Sequence, residues 1–384
     1  MQKISIAPDS FKESLTALQA AQAIKAGFKR VFPHAIYECI PMADGGEGTV
    51  QSLADALGAT IRTATVTGPL GNQVEAAYAF AKKEQIAVIE MAAASGLHLV
   101  PKDKRDPRQT TTFGTGELIK DALEQGAKRI ILGLGGSATN DGGAGCAQAL
   151  GIRLEDAEGK ELQQGCSPLI KLARIRTETK HPLLADASLE IACDVDNPLL
   201  GPKGASAIYG PQKGATQEMI AEMERALTHY AAVIKQQLGK SVQHIAGAGA
   251  AGGLGAGLLA FFQPRIESGV TLVLEATGFH KRIAGSELVV TGEGRLDSQT
   301  PYGKTPIGVA KAAKAQQIPV IAVAGQLGDG YEAIFDHGID AAFSLVPGAI
   351  PLDDAIANGA AYLEAVAEQI ARTYALALEN NRND

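Results

Sequence analysis

The chain has 384 residues, 46% hydrophobic and 20% charged, which is enough apolar material for one large or two ordinary domains and excludes a disordered chain. Its formal net charge of -7 argues against nucleic acid as the main partner, because a surface that tracks phosphates needs a basic excess; a local basic pocket for a small anion is still allowed. Four cysteines without a C-x-x-C pair, no apolar run near the ~20 residues of a membrane helix, and an N-terminus that opens on a strand instead of a signal peptide predict a reduced cytoplasmic protein without a membrane partner.

The first apolar run, Lys3 to Ala7, predicts a strand feeding the loop Pro8-Asp9-Ser10. Thr16-Ala17-Leu18-Gln19 has the form of a capping box, and Leu18, Ala21, Ile24, Phe28 and Val31 recur at helical spacing until Pro33. A second strand, Ile36 to Ile40, leads into Asp44-Gly45-Gly46-Glu47-Gly48 and a helix with Val50, Leu53 and Leu57 inward, stopped by Gly58. The character then changes. Thr63 to Thr67 and Val74 to Phe80 flank a hairpin-like Gly68-Pro69-Leu70-Gly71-Asn72, and Ala87 to Glu90, Arg129 to Leu134 and Leu189 to Cys193 read as buried strands. Near the C-terminus come three more strands, Glu287 to Val290, Pro319 to Val323 and Ala341 to Val346, each with an amphipathic helix behind it, and a last helix from about Asp353 to Leu378. Two strands at the start and three at the end predict a discontinuous doubly wound parallel-sheet domain, residues 1–61 and 285–384, with a second α/β domain, 62–284, inserted. Such an insertion leaves a cleft between domains, where ligand sites concentrate and where domain closure is expected to exclude water.

The loops at the carboxyl ends of the predicted strands are where an open parallel sheet binds ligands. Three of them combine acids, cations and glycines: Pro8-Asp9-Ser10-Phe11-Lys12, Met42-Ala43-Asp44-Gly45-Gly46-Glu47-Gly48 and Thr291-Gly292-Glu293-Gly294-Arg295-Leu296-Asp297. The inserted part adds Gly135-Gly136-Ser137-Ala138-Thr139-Asn140-Asp141-Gly142-Gly143, Cys193-Asp194-Val195-Asp196, Gly210-Pro211-Gln212-Lys213-Gly214 and Gly247 to Gly255. Glycine turns feeding helix N-termini offer free N–H donors and the positive end of the dipole, which suits phosphate. Two formal motifs are weak. Gly247-x-Gly249-x-x-Gly252 follows a strand candidate at Val242 to Ala246, but Glu267 beside Pro264 is a poor ribose-binding acid. Ser298-x-x-x-x-Gly303-Lys304-Thr305 has serine for the first glycine of a P-loop and no strand directly before it, although Lys304 is still within reach of a phosphate.

As a set these loops are similar to those of bacterial glycerate kinases of the glycerate 2-kinase type. Ile6 to Leu15 closely resembles the family's opening; Pro41 to Thr49, Met91 to Leu97, Thr110 to Gly116, Gly135 to Gly143, Ala192 to Leu199, Gly210 to Ala215, Gly247 to Gly255 and Thr291 to Asp297 follow in the same order over nearly the whole chain. The resemblance implies an ATP- and Mg²⁺-dependent kinase of D-glycerate, a flavodoxin-like domain joined to a distinct α/β domain, and 2-phosphoglycerate as the favoured product; the residues themselves leave C2 and C3 phosphorylation both open, since the two hydroxyls lie close to one carboxylate anchor.

Phosphoryl transfer asks for a phosphate cradle, a Mg²⁺ site and an anchor for the acceptor. Chemistry assigns the cradle to Gly135, Gly136, Ser137, Gly252 and Gly253, with Lys213 as a phosphate-binding cation. Asp194 and Asp196 are the candidate metal ligands, with Asp44 as a third. Lys12 and Arg295 are expected on the substrate carboxylate or the transferring phosphoryl group, with Asp9 and Ser10 beside them, and Asp44 or Asp9 as proton acceptor. Two alternatives stay open at this point: an NAD(P)-dependent oxidoreductase of a small hydroxy acid, and a non-catalytic sugar-acid binding protein. A homo-oligomer is compatible with all of them.

Overall fold

The computed structural model describes residues 2–46 and 48–380, so Glu47 lies outside the described residues. The chain divides into two compact units. The first comprises the chain up to Asp44, Gln51–Gly58 and everything from Val270 onward; the second comprises Gly45–Val50 and Ala59–Gly269. Compared with the expected 1–61 and 285–384, the return crossing falls at 269/270, and the helices Phe279–Arg282 and most of Gly269–Ala276 go with the first unit. One tie for them is Arg282, which donates to Glu38 at 2.7 Å and to the Cys39 carbonyl at 2.9 Å.

In the first unit five parallel strands lie in the order Ile36–Cys39, Lys3–Pro8, Leu288–Leu296, Val320–Leu327, Ala341–Ser344. The second to fourth are each buried over five consecutive residues, as strands of a parallel sheet covered on both faces are. The capping box at Thr16 and Gln19 starts helix Ala17–Val31, whose Ile24 and Phe28 join Ile4, Ile6, Val290 and Leu363 in one core. The single C-terminal helix expected from periodicity is two, Leu352–Ala357 and Gly359–Asn380. The break occurs where Ser14 docks: its hydroxyl donates to the Ile356 carbonyl at 2.7 Å, and a Cβ on Gly359 would stand 2.2 Å from Ser14 Oγ. Apolar spacing does not register that contact.

In the second unit six strands run in the order Arg265–Glu267, Ser188–Ala192, Arg129–Gly133, Ile86–Glu90, Gln73–Ala81, Thr60–Thr67. The first four are parallel; the last two form the antiparallel hairpin anticipated around Gly68. Tyr78, Ile89, Leu118, Leu132 and Ile191 form its main core, and a second core gathers around Met223, Leu227 and Tyr230 of helix Gln217–Leu238.

Two local expectations are corrected. Residues 242–246 form turns, not a strand, so the glycine fingerprint has no strand before it. Glu267 does end a strand, the three-residue Arg265–Glu267, too short to show a period. Helix Ala250–Phe261 has left-handed backbone at Ala251, Gly252 and Gly253, and a Cβ on Gly252 would stand 1.9 Å from the Thr139 carbonyl. That glycine is dictated by close packing on the loop before it. Among the described residues no helix is long and apolar enough to cross a membrane, and all four cysteines are free.

Candidate active site

In the first unit Pro8 pairs with Gly292, so Asp9 and Glu293 follow one another at the carboxyl ends of adjacent strands. These two strands mark the point where the strand order reverses, which is where such sheets bind ligands. The Asp9 amide donates to the Gly292 carbonyl at 2.8 Å and fastens the two ends together. Asp9 accepts from Thr305 Oγ1 at 2.5 Å and from the Ser10 amide at 2.6 Å. Burial pushes its carboxyl up to about 6; the Thr305 hydroxyl opposes this and the charge of Asp44 adds to it. Glu293 is pushed up to about 7, again by burial first, with the Lys304 ammonium opposing and Asp9 and Asp44 adding. Lys304 Nζ stands 3.4 Å from Glu293 Oε1 and donates to the Arg295 carbonyl at 3.3 Å. Asp9 and Glu293 therefore form an acid pair on which the charge of Asp44 also acts, and carboxyls held near neutrality, as these two are, suit proton transfer.

Around this cluster lie the two expected cations. Lys12 is exposed, and its backbone amide would be 3.6 Å from a Cβ placed on Gly294. Arg295 is also exposed but pairs with Asp297 at 3.0 Å. The P-loop-like segment is corrected as well: strand Leu288–Leu296 runs further than its apolar part, so the segment does leave a strand directly and ends at helix Thr305–Lys314. Glu293, Lys304 and Thr305 are the members of this cluster that sequence reasoning left out of the site; the acid in Thr291-Gly292-Glu293-Gly294 was the available signal.

In the second unit a cavity of about 540 Å³ opens at the carboxyl ends of strands Ile86–Glu90 and Arg129–Gly133, walled by Gly45, Gly46, Glu90, His98, Gly135 and Gly136. Gly135 and Gly136 are exposed on this wall, whereas Ser137 is buried. Lys213 is only 1% exposed and turns its ammonium onto the loop itself, donating to Ser137 Oγ at 2.8 Å and to the Thr139 carbonyl at 2.6 Å. Burial lowers its pKa to about 7, partly offset by the charge of Asp141. Asp141 is fully buried and accepts from the amides of Thr112, Gly143 and Gly145 and from the Thr112 hydroxyl. Its carboxyl is pushed up by burial, against those donors. Gly252 and Gly253 do not line the cavity: both are buried, and the Gly253 amide is bonded to the Gly249 carbonyl at 3.2 Å. Asp194 and Asp196 are exposed on the loop after strand Ser188–Ala192, and Asp194 accepts from the Gly269 amide at 3.3 Å. Among the described residues no group of three or more acid, histidine or cysteine side chains forms a ready metal site.

Comparison with known proteins decides between the readings that the sequence left open. The model of the glycerate kinase family matches residues 4–375. This chain belongs to the glycerate kinase family. It is 59% identical over 371 residues to a glycerate kinase of Halalkalibacterium halodurans, covering 97% of this chain and 98% of that protein. To the glycerate 2-kinase of Escherichia coli (strain K12) it is 50% identical over 378 residues, covering 98% and 99%. A crystal structure described as a "putative glycerate kinase 2" from Salmonella typhimurium LT2 superposes with a TM-score of 0.91 at 48% identity, over 98% of this chain and 99% of that one. Glycerate kinases are enzymes with a mixed α/β fold containing parallel sheets, and membership sets aside both the oxidoreductase and the non-catalytic binding protein.

Proposed function

We propose that this glycerate kinase family member transfers the γ-phosphoryl group of ATP to the C2 hydroxyl of D-glycerate, giving 2-phosphoglycerate and ADP. The observation that carries the reading is the pair Asp9 and Glu293, two acids held near neutrality side by side at the ligand-binding edge of a parallel sheet. A hydroxyl attacks phosphorus as its proton leaves, and a carboxylate with a pKa close to ambient pH is the best acceptor for that proton. The hydroxyl oxygen gains a bond to the γ-phosphorus, the bond from that phosphorus to the β,γ-bridging oxygen breaks, ADP departs with the electron pair, and Glu293 or Asp9 takes the proton. That the Escherichia coli relative is a glycerate 2-kinase supports C2 over C3.

Lys12 and Arg295 are assigned to the glycerate carboxylate, with Ser10 beside them. Lys12 has the larger share, since Arg295 is partly neutralised by Asp297. The exposed amides of Gly135 and Gly136 are assigned to the ATP phosphates. Asp194 and Asp196 are oxygen donors on one exposed loop, a set that fits a hard divalent ion, which in ATP sites needs only one or two protein carboxylates. Magnesium, if held by Asp194 and Asp196, would supply charge neutralisation for the transferring group.

Purified protein given ATP, Mg²⁺ and D-glycerate is expected to release ADP, with a ³¹P spectrum of the 2-phosphate. A spectrum of the 3-phosphate alone would overturn the regiochemistry, and no ADP release would overturn the kinase reading. Lys12→Ala is expected to lower kcat/KM about 10- to 100-fold, the equivalent of one charge-assisted hydrogen bond of roughly 1.5–3 kcal/mol, with the melting temperature unchanged because the side chain is exposed. Near-normal kinetics would move the carboxylate anchor elsewhere.

A further inference from the structure

The glycine loop after strand Arg129–Gly133 has to present Gly135 and Gly136 to the cavity in one fixed shape, although glycine is the residue least able to fix a backbone. The rigidity comes from outside the loop. On the cavity side the Gly136 carbonyl accepts from the Leu97 amide at 2.9 Å, and the Ala138 amide donates to the Ser95 carbonyl at 2.9 Å. Further along, Thr110 Oγ1 donates to the Ala138 carbonyl at 2.9 Å. The side chain of Ser137 is buried, and its hydroxyl accepts from the ammonium of Lys213, which also donates to the Thr139 carbonyl. Lys213 comes from the short turn Pro211–Lys213, far along the chain, between helices Ala205–Tyr209 and Gln217–Leu238. A lysine that bound phosphate directly would keep a proton donor toward the cavity. Lys213 is instead buried to 1%, does not line the cavity, and spends two donors on the loop's own atoms.

We propose that Lys213 is a positioning residue: it fixes the loop 135–139 from behind, through Ser137 Oγ and the Thr139 carbonyl, so that the Gly135 and Gly136 amides are preorganised for nucleotide phosphates that Lys213 itself does not touch. This rests on the assignment of that loop to ATP in the proposed function. Preorganised donors lose affinity when their support is removed even though every contacting atom is still present.

The test is a double-mutant cycle between Lys213→Met and Ser137→Ala, with separate KM values for ATP and glycerate and with the glycine amides followed by NMR on ¹⁵N-glycine-labelled full-length protein. Both single variants are expected to raise KM for ATP about tenfold, as lost preorganisation does, with KM for glycerate unchanged. The double variant is expected to be no worse than Lys213→Met alone, because the bond that Ser137→Ala removes is one of the two already lost with the ammonium. Without nucleotide, the Gly135 and Gly136 amide signals should already be shifted in each variant. Additive losses, or signals unmoved until nucleotide is added, would overturn the proposal in favour of direct contact with phosphate. If Lys213→Met does not fold, Ser137→Ala decides alone: it deletes only a buried hydroxyl, and an unchanged KM for ATP with unmoved glycine signals overturns the proposal. The underlying assignment fails differently, as wild-type Gly135 and Gly136 signals that do not respond to a non-hydrolysable ATP analogue.

Discussion

Asp141→Ala is expected to cost the protein a large part of its stability. The carboxylate lies at 0% exposure inside the second unit and is the acceptor for three backbone amides, those of Thr112, Gly143 and Gly145, at 2.8, 3.1 and 3.2 Å. The Thr112 hydroxyl also donates to it, and accepts from the Cys146 amide in turn. Alanine would leave these donors buried and unpaired, at about 1–3 kcal/mol each before relaxation. Discounted by half for water entering the gap, the four donors still cost about 2–6 kcal/mol, a large part of the ~5–15 kcal/mol that holds a domain folded. Asp141→Asn, which keeps the volume and one acceptor oxygen, is expected to fall between alanine and wild type. Urea denaturation of the three proteins checks this ordering; a midpoint for Asp141→Ala close to wild type would show that solvent reaches these donors.

Nothing in the sequence separates Asp141 from the other acids of the glycine loops, and this illustrates what was legible. The strands were, because burial on both faces forces short apolar runs such as Leu288 to Val290 and Val320 to Ala324. So was the placement of the acidic loops, since strand direction alone puts Asp9, Asp44 and the acid of Thr291-Gly292-Glu293-Gly294 at one sheet edge. Side-chain direction was not. Lys213 reads as a cation next to glycines in the sequence, and in the fold its ammonium faces backward onto Ser137. Gly252 has the spacing of a phosphate-binding glycine, and what requires it is the Thr139 carbonyl against which it packs. Glu293 and Lys304 lie eleven positions apart with no motif joining them, yet the loop between strand and helix returns the ammonium to the carboxylate. Long-range contacts of this kind are set by loop geometry, which has no period to read.

Glu293→Gln is expected to destroy activity and, above neutral pH, to make the protein more stable. The carboxyl goes from 4.5, its ordinary value, to about 7 in the folded chain, chiefly through burial. Between those two values the folded state keeps a proton that the unfolded state has released, so stability falls as pH rises through this window and the loss is complete above about 7. The shift corresponds to about 3 kcal/mol. Asp9, raised from 3.8 to about 6, adds a loss of the same sign in a slightly more acidic window. Lys213, lowered from 10.5 to about 7, acts in the opposite sense at higher pH, where the unfolded state binds the extra proton and stability rises as pH rises from about 7 toward 10.5. The glutamate window is therefore separable. Glutamine resembles the protonated acid and cannot ionise, so Glu293→Gln should match wild type at pH 4 and melt higher than wild type at pH 8. Activity should run the other way. Wild-type kcat/KM is expected to climb with pH through about 7 as Glu293 becomes able to accept the glycerate proton, and the variant to lose roughly 10²–10⁴-fold, the usual worth of a general base. Calorimetry and pH–rate profiles on the same two proteins measure both halves. A variant less stable than wild type at pH 8 would mean that the ion pair with Lys304 outweighs burial, and a variant with normal turnover would leave Asp9 as the proton acceptor.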